Sequence, residues 1–203
     1  MKTIKTWTVL LATLVFAGCS NQTVQQQASQ EVPAKPLASL TEAQKQQRDL
    51  AVSAKDKMFQ SLLGELVGSI QNNGVAASIE VCKTKAPAVA KSVGKDMQLR
   101  IGRTSFQLRS TENQPPAWAE SFVSDHVANE VNVSLEDDGL GVLLPIPLKE
   151  ACIKCHGAAD KIDTEVASAI KQHYPEDKAT GFAEGDLRGY FWVEVPAITG
   201  STN

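Results

Sequence analysis

The sequence predicts an α+β domain in which helices flank a small antiparallel sheet. Apolar residues recur at steps of three and four between residues 51 and 70, which is the spacing of one face of a long amphipathic helix. The turn Asp137-Asp138-Gly139 separates the β-rich runs VNVSLE and LGVLLPIPL, a strong signal for a β-hairpin. Helices and a hairpin together in one chain, with no internal repeat, favour the α+β class.

The other elements can be placed in order along the chain. Thr41 and Gln44 form a capping box that begins the long helix, and Gly74 can end it in the left-handed conformation. A second helix is predicted over about 75–92, and the run 97–105 predicts a strand. The later predicted elements are a helix over 116–130, the two hairpin strands, a helix over 164–173 and a strand over 189–195. The predicted order is therefore α-α-β-α-β-β-α-β.

Residues 1–18 are typical of an export signal of the lipoprotein type. Lys2 and Lys5 precede an apolar run, Trp7 to Phe16, that is too short to span a bilayer. Small residues directly before Cys19 resemble the bacterial signal in which that cysteine is lipidated and becomes the mature N-terminus. An ordinary cleaved signal or an uncleaved anchor is the alternative. Ser20, in place of Asp, predicts sorting to the outer membrane, so we expect a lipid-anchored protein in the periplasm.

The chain after the signal divides into a tether and one domain. Residues 19–39 are rich in Gln, Ser, Ala and Pro and predict a flexible tether, because such a segment buries too little apolar surface to fold. Residues 40–198 are long enough for one domain with a normal core. The chain carries 20 basic and 23 acidic residues, and this mild acidity disfavours nucleic acid as a partner.

The stretch ACIKCHGAAD, residues 151–160, contains the C-x-x-C-H signature of a c-type haem. Two thiols at this spacing can form thioethers with the two vinyl groups of one haem, and the adjacent histidine can bind the iron. Cys152, Cys155 and His156 fit this pattern, and export sends the chain to the compartment where attachment occurs. The alternatives are a zinc site, a thioredoxin-like motif and a strained disulfide. A zinc site would need a fourth ligand, and a thioredoxin-like motif would follow a strand in a βαβ unit.

Cys82 is left without a partner if Cys19 is lipidated and the other two cysteines bind haem. It could be an inert buried thiol, a cross-link between two molecules, or the second axial ligand of the iron. Other residues compete for that second position, and spacing alone does not choose among them. They are Met58, Met97, His126 and His173.

Four stretches of the chain resemble one family of exported bacterial single-haem domains with a PAS-like fold, long a domain of unknown function. Its members occur alone and as the sensory part of membrane kinases. The stretches are SIEVCKTKAPAVA (78–90), IGRTSFQLRSTENQPPAW (101–118), CIKCHG (152–157) and YPEDKATGFAEGDLRGYFWV (174–193). The resemblance implies a PAS-like antiparallel sheet and one covalent haem, with Cys82 as the iron ligand opposite His156.

Several residues in these stretches have weaker assignments. Arg103 and Arg109 could bind the haem propionates, because a guanidinium group matches a carboxylate, or could form structural ion pairs. Arg188 is expected to build a turn. Trp118 and Trp192 could pack on the macrocycle, although core packing is the stronger expectation.

Three functions remain open from the sequence. The first is a periplasmic haem protein in redox or ligand sensing or in electron transfer, with an unidentified redox or signalling partner and a possible small gas ligand. The second is a small haem peroxidase or reductase, which is disfavoured because no distal acid–base pair can be recognised, so we expect no enzyme. The third is a lipoprotein binding module without haem.

Overall fold

A computed structural model describes residues 33–198 and confirms the α+β class. The predicted signal and Cys19 lie outside the described residues. None of the helices within 33–198 combines the length and apolar character that crossing a membrane requires. The helices are α1 (Glu42–Met97), α2 (Glu120–Ser124), α3 (Ile153–His156) and α4 (Thr164–His173). The strands are β1 (Arg100–Thr104), β2 (Val131–Ser134), β3 (Leu140–Pro147) and β4 (Leu187–Val195).

The four strands form one antiparallel sheet in the order β1-β4-β3-β2. The predicted hairpin joins β2 to β3. Asp137 and Asp138 both adopt positive φ, 52° and 56°, as a hairpin turn that matches the twist of its strands requires. The C-terminal strand β4 therefore lies in the centre of the sheet, between β1 and β3.

Helix α1 is a hairpin of two arms, residues 42–73 and 75–97, which we call the first and second arms. Gly74 has φ 82° and ψ 171°, a conformation that only glycine adopts readily. The Lys57 Nζ atom lies 3.1 Å from a carboxylate oxygen of Asp96, 39 residues later. A straight helix of that length would separate them by roughly 58 Å at 1.5 Å per residue. The chain therefore reverses at Gly74, the residue at which the sequence predicts that the first helix ends.

The two faces of the sheet bury different clusters. Because side chains alternate along a strand, Ile101, Val193 and Val142 face α1 and pack with Ala51 and Met58. On the opposite face, Tyr190 and Leu143 pack with residues of β2 and of the α2 region. The helical hairpin thus covers one face of the sheet, and α2 with its flanking loops covers the other.

The predicted helix over 116–130 is wrong in its length. The structure has a single 3-10 turn, Ala117–Ala119, followed by α2, which ends at Ser124. His126 adopts φ 54°, its amide donates to the Val123 carbonyl, and the Val127 amide donates to the Phe122 carbonyl. These paired bonds with a left-handed residue form a Schellman motif, which closes the helix.

The end of the predicted tether is folded. The Lys35 amide donates to the Asn132 carbonyl at 2.7 Å, so residue 35 bridges to the edge strand β2. Residues Leu37–Ser39 form a 3-10 turn that leads to the Thr41 capping box. The folded domain therefore begins several residues before the boundary that composition predicts at residue 40.

Candidate functional site

The cysteine motif forms a compact helical turn beside the sheet. A 3-10 turn, Glu150–Cys152, continues directly into α3, Ile153–His156. Cys152 and Cys155 are half-buried, and both thiols are free. A Cβ atom on Gly157 would lie 2.5 Å from Ile153 Cγ2 and 2.7 Å from the Ile153 carbonyl oxygen. Only glycine therefore lets the chain leave this turn directly after His156.

The His156 ring is held in one tautomer. Its Nδ1 atom lies 2.7 Å from the Ala179 carbonyl oxygen and 3.3 Å from Arg188 Nε. A carbonyl only accepts, so the closer contact requires a proton on Nδ1, and a protonated Nδ1 cannot accept from Arg188. Nε2 therefore carries the free lone pair. Burial, helped by the positive charge of Arg109, lowers the pKa of His156 to about 3, so the imidazole is neutral.

An ion pair between Arg109 and Asp177 braces this arrangement. Arg109 Nε donates to Asp177 at 3.0 Å, and Arg109 Nη2 donates to the Cys155 carbonyl at 2.6 Å. The same nitrogen reaches the Ala179 carbonyl at 3.3 Å, and the Ala179 amide donates to Asp177 at 3.0 Å. One guanidinium group thus joins the cysteine turn to the segment whose carbonyl orients His156. Of the two predicted alternatives for Arg109, the structure contains the structural ion pair.

Cys82 lies on the second arm of α1, near the cysteine turn. Ile79 and Ala86, three and four residues away, are buried on the same side of the helix, and Ile79 packs in a cluster with α4 and Cys155. Burial raises the pKa of Cys82, while the positive charges of Arg103 and Arg109 act against the increase. Burial is also the main reason that the pKa of Cys155 is raised, and the charge of Cys82 contributes. The structure therefore brings Cys82 within electrostatic range of the motif.

Strand alternation turns the Arg103 side chain toward helix α1, the helix that carries Cys82. Arg103 follows Leu99 and Ile101 at steps of two, and both of these residues belong to the cluster that faces α1. Burial lowers the pKa of Arg103, and the charges of Cys82 and Tyr174 partly oppose this decrease. Among residues 33–198, Arg103 forms no ion pair, whereas Arg109 has Asp177.

Arg188 is a site residue that sequence reasoning missed, because it was assigned to a turn. Ile146 pairs with Gly189 and Pro147 pairs with Leu187, so Arg188 is the extra residue of a β-bulge. A Cβ atom on Gly189 would lie 2.3 Å from the Thr104 carbonyl oxygen, so the bulge requires glycine. Arg188 Nη1 donates to the Gln107 carbonyl at 3.1 Å. The only sequence signal was the Arg-Gly pair immediately before a strand.

The residues that the sequence leaves as alternatives to Cys82 for the second iron ligand lie in other parts of the structure. Met58 is in the core, Met97 packs against the same cluster, and His173 is at the end of α4. His126 is exposed and stacks on Phe106, with ring centroids 3.8 Å apart.

Trp118, Trp192 and a groove beside Phe106 lie away from the motif. Trp118 packs over Gly141 and Trp192 over Gly102, on the sheet face that is turned away from α1. A groove of about 640 Å³ beside Phe106 and His126 contains no motif residue. Within residues 33–198, no group of three or more His, Cys, Asp or Glu side chains could hold a metal ion.

Two comparisons relate this chain to known proteins. A family model described as Tll0287-like: Tll0287 matches residues 22–196. This chain is also similar to a solved structure described as the crystal structure of the cyanobacterial heme-protein Tll0287. The TM-score is 0.53 at 22% identity, and the match covers 74% of this chain and 94% of that chain. This level of identity establishes the fold alone. A search of curated proteins finds no match.

Proposed function

The chain belongs to the Tll0287-like family, and we propose that it is an exported c-type haem protein. It would carry one covalent haem, and His156 and Cys82 would bind the iron. The observation that carries this proposal is the His156 ring, which is neutral, donates Nδ1–H to the Ala179 carbonyl and follows two free cysteines. A metal-binding histidine characteristically donates its other ring nitrogen in this way.

The two motif thiols would attach the cofactor. In each attachment, a sulfur–carbon bond forms as a thiol adds across a vinyl double bond, and the thiol proton moves to the neighbouring carbon. The step is balanced without an oxidant. Both thiols are half-buried and free, so neither must first be released from a disulfide or an ion pair.

Cys82 is the best supported second ligand. It is within electrostatic range of Cys155 and of two arginines, whereas Met58 is in the core and His126 is exposed. Burial raises the pKa of Cys82, and the nearby positive charges of Arg103 and Arg109 oppose that rise, toward the thiolate form that binds a metal.

When bound, a haem supplies a one-electron couple between ferric and ferrous iron. A thiolate ligand stabilises the more positive ferric state and lowers the potential. Two protein ligands leave no open position, which favours electron transfer or redox-linked sensing over catalysis. If Cys82 dissociates on reduction, a small gas could bind in its place.

The pyridine haemochrome assay tests whether haem is attached to protein matured in the periplasm. A thioether-type spectrum with one haem per chain is expected, and the absence of any haemochrome would leave only the binding module without haem. Cys152→Ala with Cys155→Ala should make the haem extractable by acid and organic solvent.

Low-temperature EPR of the ferric protein tests the ligand. Cys82→Ala should change the low-spin spectrum, whereas Val81→Ala, on the same arm, should not. An unchanged spectrum in Cys82→Ala would exclude Cys82. Adding CO to the ferrous protein tests the hypothesis that a small gas binds in place of Cys82. This hypothesis fails if no CO complex forms.

The proposed location is the periplasm, with a lipid anchor on Cys19 holding the domain to the outer membrane. Radiolabelled palmitate should be incorporated into the wild-type chain and not into Cys19→Ala. Incorporation into both would exclude this anchor. A redox or signalling partner is then expected in the same compartment.

A further inference from the structure

The charges around the motif do not balance. Arg188 Nε lies 3.3 Å from His156 Nδ1, Arg109 Nη2 donates to the Cys155 carbonyl, and Arg103 lies on the side of β1 that faces α1. Among the described residues, Asp177 is the only carboxylate in an ion pair with any of them, and it is bound to Arg109. Two guanidinium charges are therefore left without an anionic partner.

Unpaired cations in such a position are costly. The Arg188 side chain is only partly exposed: its Cζ atom lies 5.5 Å from the centroid of the Phe182 ring, and its Nε atom lies 3.3 Å from His156 Nδ1. Its contact with His156 is no hydrogen bond in the tautomer established above, so the Gln107 carbonyl is its remaining acceptor. Partly buried charges persist in proteins when a partner compensates them.

The backbone is shaped to bring these two arginines to the site. Arg103 faces α1 because of the regular alternation of β1, and Arg188 points beside His156 because it is the extra residue of the Gly189 bulge. Without the bulge, Arg188 would share the face of Tyr190 and Trp192, away from the motif.

We propose that Arg103 and Arg188, and not Arg109, bind the two propionate carboxylates of the haem. Arg109 is a positioning residue, because its guanidinium group is already committed to Asp177, Cys155 and Ala179. The two unmatched positive charges equal the two negative charges of the propionates, and guanidinium groups bind carboxylates in a bidentate manner. This inference rests on the proposed function.

The test uses the haem-loaded full-length chain and two readouts. Arg103→Gln and Arg188→Gln should each shift the propionate bending mode in the resonance Raman spectrum, because a hydrogen-bond donor is lost. Each should also lower the midpoint potential, because removing a nearby positive charge disfavours the reduced haem. The matched control is Arg100→Gln, since Arg100 lies on the same strand but pairs with Glu194 on the opposite face.

Lysine variants keep the test valid if a glutamine variant does not load haem. Arg103→Lys and Arg188→Lys retain the charge, so the potential should stay near that of the wild type while the propionate mode still moves. If the variants of Arg103 and Arg188 gave the same spectra and potentials as Arg100→Gln, the assignment of these two arginines to the propionates would be overturned. A wild-type chain without a haemochrome would instead overturn the proposed function, so the two failures are distinguishable.

Discussion

At the scale of single residues, the Arg109–Asp177 pair holds the cysteine turn in place. The two side chains are only 10% and 9% exposed, and together they bind two backbone carbonyls and one amide of the site. Removing one partner would leave the other charge enclosed without compensation. We therefore expect the pair to affect the free energy of unfolding as a buried ion pair does, and not as a surface ion pair does.

We predict that Arg109→Ala destabilises the protein by about 3 kcal/mol, because Asp177 is then left unpaired. Asp177→Ala should have a similar effect, and the double variant should cost much less than the sum of the two. Urea denaturation of the four proteins measures this coupling. The exposed pair Lys57–Asp96 is the control and should couple by no more than about 1 kcal/mol. If the two substitutions lowered the free energy of unfolding additively, Arg109 and Asp177 would not stabilise the protein as a pair.

The chemistry of single residues could be predicted from the sequence only where it depends on local spacing. Cys152, Cys155 and His156 are close together in the chain, so the sequence alone suggested their role. Asp177 contacts Arg109 across 68 positions, and no local pattern marks such a pair. Arg188 was missed because its direction depends on a bulge that forms only when β4 pairs with β3.

At the scale of elements, the helical hairpin depends on the backbone of one glycine. Gly74 has a φ of 82° and a ψ of 171°, and a Cβ atom there would have no neighbour within 4 Å. The cost of a side chain at this position would therefore come from the backbone and not from a clash. A Cβ atom on Gly64, in the middle of the first arm, would likewise have no neighbour within 4 Å, but Gly64 is helical.

Two alanine substitutions should accordingly have opposite effects. Gly74→Ala is expected to destabilise the protein by about 1–3 kcal/mol, because alanine must adopt a region that only glycine favours. Gly64→Ala should stabilise it by about 0.5–1 kcal/mol, because alanine has the higher helix propensity. Chemical denaturation provides both values. A destabilisation by Gly64→Ala equal to that by Gly74→Ala would show that the hairpin turn has no special backbone requirement.

The first arm is also attached to the sheet by a pH-sensitive contact. Arg48 Nε and Nη2 donate to the Glu130 carboxylate at 2.9 and 2.7 Å, directly before β2. These hydrogen bonds from Arg48 hold the pKa of Glu130 below its ordinary value of 4.5. A carboxylate with a lowered folded-state pKa stabilises the protein above its unfolded-state pKa. This stabilisation is lost as the pH falls through the folded-state value.

Glu130→Gln should therefore cost about 1–2 kcal/mol near neutral pH, as expected for a hydrogen-bonded charge. The difference from the wild type should shrink progressively below pH about 4.5. Unfolding free energies measured from pH 7 to pH 3 test this expectation. Glu136→Gln, at an exposed residue of the hairpin turn, should show no such dependence. A difference that stays constant down to pH 3 would assign the effect to packing.

Elements were predictable where local signals agree with the tertiary contacts. The capping box at Thr41, the break at Gly74 and the hairpin turn at Asp137 and Asp138 are all present. The helix predicted over 116–130 fails because its polar residues, including Asp125 and His126, lie where the chain turns to enter β2. Phe122 and Val123 pack in the cluster against the sheet, so the apolar residues of this segment do not mark a continuous helix.

At the scale of the whole molecule, the site joins parts of the chain that are far apart in sequence. Its residues come from the second arm of α1, from β1, from α3 and from the bulge of β4. The pair Cys82 and His156 would connect the helical hairpin to the cysteine turn through the iron. In contrast, the cluster that the two arms of α1 form with the sheet contains none of the proposed cofactor-binding residues.

Ligation by Cys82 should therefore stabilise the molecule unevenly. Compared with the ferric wild type, haem-loaded Cys82→Ala should show faster amide exchange in the second arm near residue 82 and in α4, which packs against it. Amides of β3 and of the first arm near Ala51 should exchange at unchanged rates, because they belong to the separate cluster on the sheet. Hydrogen–deuterium exchange followed by mass spectrometry measures both regions in one experiment. The control, Val81→Ala, removes apolar contact from the same arm without removing a ligand. If both variants gave the same exchange pattern, the effect would be loss of packing, and the iron would not connect the second arm to His156.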